Sequence, residues 1–193
     1  MTRASFRFVA LFTAIGLCCA LSPAFAQQHA QTAAQNEVGL GFKGIGGSLG
    51  LVDPEDASSA LALGLHVDAG QIVKNVHLIP NMQYWSVGTD VGAYSADLKD
   101  LAFATDVNID FPLQGGRFTP YLGGGVGLNF LSFDSTVPGV QSNNDTKLGL
   151  NVLGGMRNDV MPNLSLFGEL RYSFVSNANQ LKVLGGFTYR FIY

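Results

Sequence analysis

Hydrophobic and polar residues alternate with period two along residues 37–193. In the last segment, an apolar face that includes Leu181 and Phe187 alternates with a polar face that includes Lys182. This alternation is typical of β-strands, because successive side chains of a strand point to opposite faces of the sheet. Turn-forming residues separate eight such segments, and these lie at 37–51, 60–69, 76–87, 98–111, 118–133, 146–157, 164–174 and 181–193.

The two faces of these predicted strands differ in an unusual way. One face is apolar and aromatic throughout, and the other mixes Gly, Asn and Thr with a few ions. Only 13% of the residues are charged, against about 25% in ordinary soluble domains. A closed sheet in lipid explains both facts, since its apolar face meets acyl chains and its polar face lines a lumen. The pattern therefore predicts an all-β fold, an eight-stranded antiparallel up-and-down transmembrane β-barrel.

The connections between the strands alternate in character. Those after the first, third, fifth and seventh strands are polar or rich in Gly, Asn and Ser, and we expect them to be surface loops: 53–59, 86–97, 134–146 and 175–180. The others, such as 112–117 and 159–163, are turn-like, and an even strand count puts both chain ends on the periplasmic side. Aromatic residues near strand ends are expected to form two interfacial girdles: Tyr84, Trp85, Phe111, Phe118, Tyr121, Phe130 and Tyr193.

The first residues have the pattern of a secretory signal peptide. Arg3 and Arg7 precede an apolar run from residue 8 to residue 21, and the small residues Ala24 and Ala26 follow. This order of a basic, an apolar and a small-residue region predicts a signal peptide over 1–26, cleaved after Ala26. A flexible segment, 27–36, and a barrel domain, 37–193, would follow, which predicts export to a bacterial outer membrane.

Charge and cysteine content narrow the classes of partner and chemistry. Cys18 and Cys19 both lie in the predicted signal peptide, so the mature chain would have no thiol for a disulfide or a metal. Without Arg3 and Arg7, 9 of the 11 Lys and Arg remain against 14 Asp and Glu. We expect no nucleic-acid partner, because binding phosphates requires a basic surface.

The segment PYLGGGVGLNF (120–130), the eight alternating strands and the aromatic C-terminus together resemble the small OmpA/OmpX-type outer-membrane β-barrels. The resemblance implies a monomeric protein embedded in outer-membrane lipid and lipopolysaccharide. It also implies delivery by periplasmic chaperones and insertion by the barrel-assembly machinery. The end of the chain, LGGFTYRFIY, resembles the C-terminal assembly signal that this machinery reads, with the matching positions Gly186, Tyr189, Phe191 and Tyr193.

The lumen of an eight-stranded barrel is just wide enough for side chains. Charged side chains inside it need partners, so we expect a network of salt bridges and hydrogen bonds there. We assign the following residues to this lumen polar network: Lys43, His66, Asp68, Asp106, Asp110, Arg157, Glu169, Arg171, Lys182 and Arg190. Within it, Lys43 is the expected partner of Asp68.

Three functions remain open at this point. The first is a structural or surface-interaction role, as an adhesin or antigen, through loops 86–97 and 134–146. The second is a narrow channel for ions or small solutes, similar to OmpW-like barrels, which would conduct in planar bilayers. The third is a lipid-modifying enzyme, which would alter lipid A on overexpression.

Histidine placement argues against the third function. A deacylase-like site needs a His and a nearby Ser on a lipid-facing strand end, with an acid to orient the His. Neither His66 nor His77 has a Ser two residues away, and His66 with Asp68 gives at most two metal ligands. We therefore predict no enzymatic activity, no cofactor and no metal.

The segment VGLGFKGIGGSLG (38–50) contains the glycine spacing of a dinucleotide-binding loop, at Gly39, Gly41 and Gly44. Such a loop requires a helix to begin near the third glycine. The following residues, IGGSLGLVDPED, are rich in Gly and Pro and strongly disfavour a helix. We interpret the segment as the first barrel strand, with Leu40 and Phe42 facing lipid.

Overall fold

A computed structural model of the protein describes residues 38–55, 58–91, 94–113, 117–135 and 142–191. Each strand pairs with the next in antiparallel orientation, and the last pairs with the first to close a barrel. The strands are β1 Gly39–Pro54, β2 Ala60–Val73, β3 Val76–Val91, β4 Tyr94–Asp110, β5 Phe118–Ser135, β6 Asn143–Met161, β7 Leu164–Val175 and β8 Gln180–Arg190. The predicted fold class is confirmed.

Two other sequence predictions fall beyond these ranges. The signal peptide 1–26, with its cleavage residues Ala24 and Ala26, and the segment 27–36 lie outside the described residues, as does Tyr193. No helix among the described residues is long and apolar enough to span a membrane.

The outer face of the barrel is apolar along every strand. Leu63, Val126 and Leu150 are each more than half exposed, although they are large aliphatic side chains. Their neighbours in sequence point inward, as the buried and exposed positions of β7 show by strict alternation. A continuous apolar exterior of this kind is the surface that a barrel presents to lipid.

The glycine-rich segment 38–50 lies in β1, as predicted. Between the paired residues Leu40 and Gly44, β1 advances four positions while β2 advances only two, from Gly70 to Asp68. This bulge lies opposite Gly70, whose φ of 89° is accessible to glycine at little cost. The bulge shifts the alternation, so Leu40 and Phe42 are exposed on the outside while Gly44 and Gly46 are buried inside.

The strands extend further at one end of the barrel than the sequence predicted. We call this the loop end, which has the connections 55–59, 92–93, 136–142 and 176–179; the opposite end, with 74–75, 111–117 and 162–163, is the turn end. The predicted loop 86–97 is mostly strand, because β3 continues to Val91 and pairs with β4 from Tyr94 onward. The predicted loop 134–146 shortens in the same way to 136–142.

These extensions form a four-stranded sheet beyond the closed barrel, here called the projecting sheet. Pairing of β2 with β3 ends at Trp85, and pairing of β6 with β7 starts at Gly149. Two edges of the projecting sheet, 86–91 of β3 and 143–148 of β6, therefore have no partner strand among the described residues, and we call them its open edges. Between them lie 94–99 of β4 and 130–135 of β5.

The predicted aromatic girdles are partly wrong. Trp85 and Tyr121 are only 1% and 5% exposed and point inward. Trp85 follows outward-facing Tyr84 directly, so the period of two places it on the lumen side. The other predicted girdle residues in the described ranges are exposed: Tyr84, Phe111, Phe118 and Phe130.

Candidate functional site

The centre of the lumen is occupied by a buried cluster around Arg171 of β7. Arg171 contacts Asp106 of β4 at 2.7 Å through Nη1 and Glu169 at 2.9 Å through Nη2. All three side chains are less than a tenth exposed. One guanidinium thus lies between two carboxylates, an arrangement that the rigid fork of Arg suits better than the ammonium of Lys.

Neutral side chains complete the hydrogen bonding of this central cluster. Asn81 and Asn151 donate to the two oxygens of Asp106 at 2.8 and 3.2 Å. The hydroxyl of Tyr121 donates to Glu169 at 3.0 Å. The four carboxylate oxygens therefore all have partners, which offsets part of the cost of removing the charges from water.

Glycine in β5 creates the space for the central cluster. A Cβ on Gly125 would overlap the carbonyl oxygen of Thr105 and the carboxylate of Asp106. Gly125 pairs with Asp106 on one side and Asn151 on the other. The missing side chain therefore lets the Asp106 carboxylate lie against the barrel wall.

Toward the turn end, ion pairs connect side chains from β2, β3, β4 and β6. His77 contacts Asp68 at 3.3 Å through Nδ1 and Asp110 at 3.5 Å through Nε2. The same oxygen of Asp110, Oδ2, also accepts a hydrogen bond from Arg157. His77 of β3 thus joins carboxylates of both flanking strands, β2 and β4.

Another ion pair at this end joins β6 to β8. Arg190 contacts Asp159 at 3.3 Å, and the hydroxyl of Ser165 donates to the same carboxylate oxygen at 2.5 Å. Asp159 lies beside the β-bulge that ends β6. This pair and the His77 contacts fill the turn end with charge.

Toward the loop end, the lumen contains an apolar cluster. Trp85 packs there with Val52, Ala60, Ala62 and Leu184, all of them buried. We call this cluster the apolar seal; it lies where the closed barrel meets the projecting sheet.

Most side-chain hydrogen bonds beside the apolar seal join a charged side chain to a neutral one. Lys182 donates to Gln83 at 2.8 Å and has no carboxylate within ion-pair distance among the described residues. Gln180 donates to Asp100 at 2.6 Å and accepts from Trp85 Nε1 at 3.2 Å. The second oxygen of Asp100 is buried without a partner in the described part of the chain.

His66 also points into the lumen, and its side chain has no carboxylate partner among the described residues. Its Nε2 is 2.9 Å from the hydroxyl of Thr188, and its ring packs edge-on to Phe167 at 5.4 Å. Both contacts involve neutral groups. Across the ranges that the structure covers, no group of three or more His, Cys, Asp and Glu side chains could hold a metal ion.

Nine of the ten predicted lumen residues form side-chain hydrogen bonds or ion pairs inside the barrel, and Lys43 forms none with the described residues. The predicted pairing of Lys43 with Asp68 is wrong, because Asp68 contacts His77 and accepts a hydrogen bond from the Gly70 amide at 2.9 Å. Lys43 lies in the bulge of β1, half-buried, and the displaced register is the physical reason.

Sequence reasoning missed several residues that complete the network. Asp100 lies an even number of positions from Asp106 on β4, and His77 lies an even number from Gln83 on β3. Strand alternation therefore predicts that both side chains face the lumen. The other missed members are neutral or lie near strand ends: Asn81, Gln83, Tyr121, Asn151, Asp159, Ser165, Thr188 and Gln180.

The residues that resemble an assembly signal lie on β8 and just after it. Tyr189 is 42% exposed on the outer face, and Gly186 faces inward. The ring of Phe191 stacks on Phe42 of β1 at 5.1 Å, and its amide donates to the carbonyl of Lys43 at 2.8 Å. Together these contacts extend the seam between the last strand and the first.

A closed barrel with an apolar exterior and a charge-filled interior defines a transmembrane β-barrel. The model of the outer membrane protein beta-barrel domain matches residues 16–191, which is most of the chain. The chain belongs to this family, and family membership implies a location in the bacterial outer membrane. A comparison with curated protein sequences finds no match.

Solved structures share the fold at low sequence identity. Neisserial surface protein A is 22% identical with a TM-score of 0.64, and the match covers 79% of this chain and 99% of that one. A major outer membrane protein of Thermus thermophilus is 18% identical with a TM-score of 0.57, covering 77% and 98%. Ail, the attachment invasion locus protein of Yersinia pestis, is 16% identical with a TM-score of 0.51, covering 77% and 95%.

Proposed function

We propose that this outer-membrane barrel has a surface-interaction role, carried by the projecting sheet. Its open edges, 86–91 and 143–148, present backbone groups that neither β2 nor β7 pairs with. Unpaired edges are templates for addition of a strand from a partner. Because the loop end lies opposite the start of β1 and the end of β8, the projecting sheet would face the outside of the cell.

The remaining barrel would act as the anchor for this sheet. We infer a monomer in outer-membrane lipid and lipopolysaccharide, brought there by periplasmic chaperones and the barrel-assembly machinery. The outward aromatic residues Tyr189 and Phe187 at the seam support a role for the C-terminal strand in insertion. The proposal assigns no enzymatic activity to the barrel.

The charge of the loop end limits the partners that this role would include. Ail was crystallised with the heparin analogue sucrose octasulfate, but its likeness to this chain concerns the fold alone. Here the segments 53–59, 86–99, 130–147 and 175–180 contain seven acidic residues and two lysines. Such a surface repels sulfated polysaccharides, so we expect neutral or basic partners instead.

Trimming the projecting sheet tests the proposed role. We expect cells that express the full-length protein to adhere to one another or to a matrix-coated surface, and cells with a trimmed variant to lose this gain. In the trimmed variant, Asn-Gly turns replace residues 88–97 and 132–144, because two-residue turns of this type then join Val87 to its partner Leu98 and Leu131 to its partner Asp145. Adherence is counted by microscopy, with equal surface levels of both proteins.

The control is that both proteins show the same shift in gel mobility on heating, which reports a folded barrel. Undiminished adherence of correctly folded trimmed barrels would refute the proposed role of the sheet.

The filled lumen predicts that the purified protein is silent in planar bilayers. The central cluster and the apolar seal leave a lumen cavity of about 50 Å³ beside His66 and Arg171. This volume suits a few water molecules rather than a passage for hydrated ions. Discrete conductance steps from protein whose insertion is verified by heat-modifiable mobility would instead favour the channel function.

A further inference from the structure

A second cavity, of about 160 Å³, opens at the loop end above the apolar seal. We call it the loop-end cavity. It has an apolar wall, formed by Trp85, Leu98, Leu131 and Phe133. An apolar protein cavity of about 150 Å³ accommodates benzene. The loop-end cavity therefore has room for one ring or a branched alkyl group of similar size.

Charged side chains line the same cavity. Glu55 and Asp145 each have one carboxylate oxygen held by an amide, from Asn179 at 2.8 Å and Asn143 at 3.1 Å. Each carboxylate keeps a second oxygen for which the described residues provide no hydrogen bond. Lys147 is the single basic residue among the described residues that line the cavity.

The balance of charge favours a positive ligand. Two carboxylates against one ammonium give the lining a net negative charge. Outside the lining, the segments around the loop end contain five more acidic residues and one more lysine, Lys99. A field of one sign over a concave site attracts ligands of the opposite sign and raises their local concentration.

We propose that the loop-end cavity binds an organic cation whose apolar part is the size of one ring. The ring packs against Trp85, Leu131 and Phe133, and the cationic group lies at the carboxylates of Asp145 and Glu55. This site goes beyond the proposed function, because it uses the inner wall of the projecting sheet and not its open edges.

Trp85 provides the readout, since the sequence contains one tryptophan and it lines the cavity. Three probes with the same ring but different charge are titrated into the full-length protein in lipid vesicles: benzylammonium, benzyl alcohol and benzoate. We expect a saturable change in Trp85 emission with benzylammonium, half-saturation at roughly threefold higher concentration with benzyl alcohol, and still weaker binding of benzoate. Equal binding of all three probes, or tightest binding of benzoate, would overturn the proposal.

Two charge variants test the same idea in opposite directions. Asp145→Asn should weaken benzylammonium binding by roughly threefold, and Lys147→Gln should strengthen it by a similar factor, because each changes one charge near the bound cation. Asp97→Asn is the matched control, since Asp97 is at the loop end but does not line the cavity. The absence of both effects, or effects of reversed sign, would overturn the assignment of the carboxylates.

A filling variant tests whether the cavity itself is the site. Ala178 lines the cavity in the β7–β8 connection, whereas exposed Ser176 in the same connection does not. Ala178→Leu should abolish saturable binding, and Ser176→Leu should preserve it. Retained binding in a folded Ala178→Leu protein would contradict the proposal. If that protein does not insert into the membrane, the charge variants test the proposal instead. Because these variants leave the open edges of the projecting sheet intact, failure of the site and failure of the proposed adherence role are distinguishable.

Discussion

Replacing Arg171 by Leu is expected to destabilise the barrel by about 3–5 kcal/mol, the range measured when one partner of a buried ion pair is removed. Arg171 is the cation that contacts both Asp106 and Glu169 in the centre of the lumen. Without it, two buried carboxylates lie side by side, and each repels the other. The free energy of unfolding is measured by urea titration of the protein in lipid vesicles, with heat-modifiable mobility as the readout.

Two comparisons make the Arg171 result specific. Lys74→Leu removes an exposed basic side chain from the turn between β2 and β3 and should change stability by no more than about 0.5 kcal/mol. A triple variant with Leu at 106, 169 and 171 should be more stable than Arg171→Leu alone, because it leaves no unpaired charge. If Arg171→Leu unfolds at the same urea concentration as the unaltered protein, the central cluster does not stabilise the barrel.

Replacing Leu65 by Arg should destabilise the protein by about 2–4 kcal/mol, the cost of a basic side chain on the lipid face near the bilayer midplane. Leu65 is 56% exposed on the outer face and lies in the middle of β2. The same urea titration in vesicles measures the effect.

Leu61→Arg is the matched control, since Leu61 is on the same face of the same strand and 65% exposed. It lies four residues closer to the loop end, or about 13 Å along the strand. Near the interface the cost should fall to about 0–1 kcal/mol. Equal destabilisation by both variants would mean that the membrane does not cover β2 in this position.

The side of the barrel on which a residue lies was predictable because strand alternation has an exact period of two. Asp106, Glu169, Arg171 and Lys182 point into the lumen for this reason alone. The errors arose where the type of a residue was given more weight than its place in this alternation. Trp85 was assigned to a girdle because it is aromatic and near a strand end, although its neighbour Tyr84 already occupied the outer face.

Other features depend on information that alternation does not contain. The bulge in β1 changes the register between Leu40 and Gly44, so Lys43 could not be placed by counting. Residues 86–97 are rich in Gly, Ser and Asp and have no regular apolar face, as expected of a loop, but a strand beyond the membrane does not need a continuous apolar face toward lipid. The contact between Gln180 and Asp100 depends on the stagger of the strands around the barrel. This stagger determines which inward side chains lie at the same height in the lumen.

The seam between β1 and β8 has a consequence for the order of folding. Every other strand pair joins neighbours in the chain, but this pair joins Gly44 to Arg190, almost the full length of the barrel apart. Contacts between such distant residues require closure of a long chain segment, which costs entropy and slows their formation. The stacking of Phe42 on Phe191 belongs to the same seam. Closure is therefore expected to be the slow, final step, after the hairpins from β1 to β8 have formed an open curved sheet.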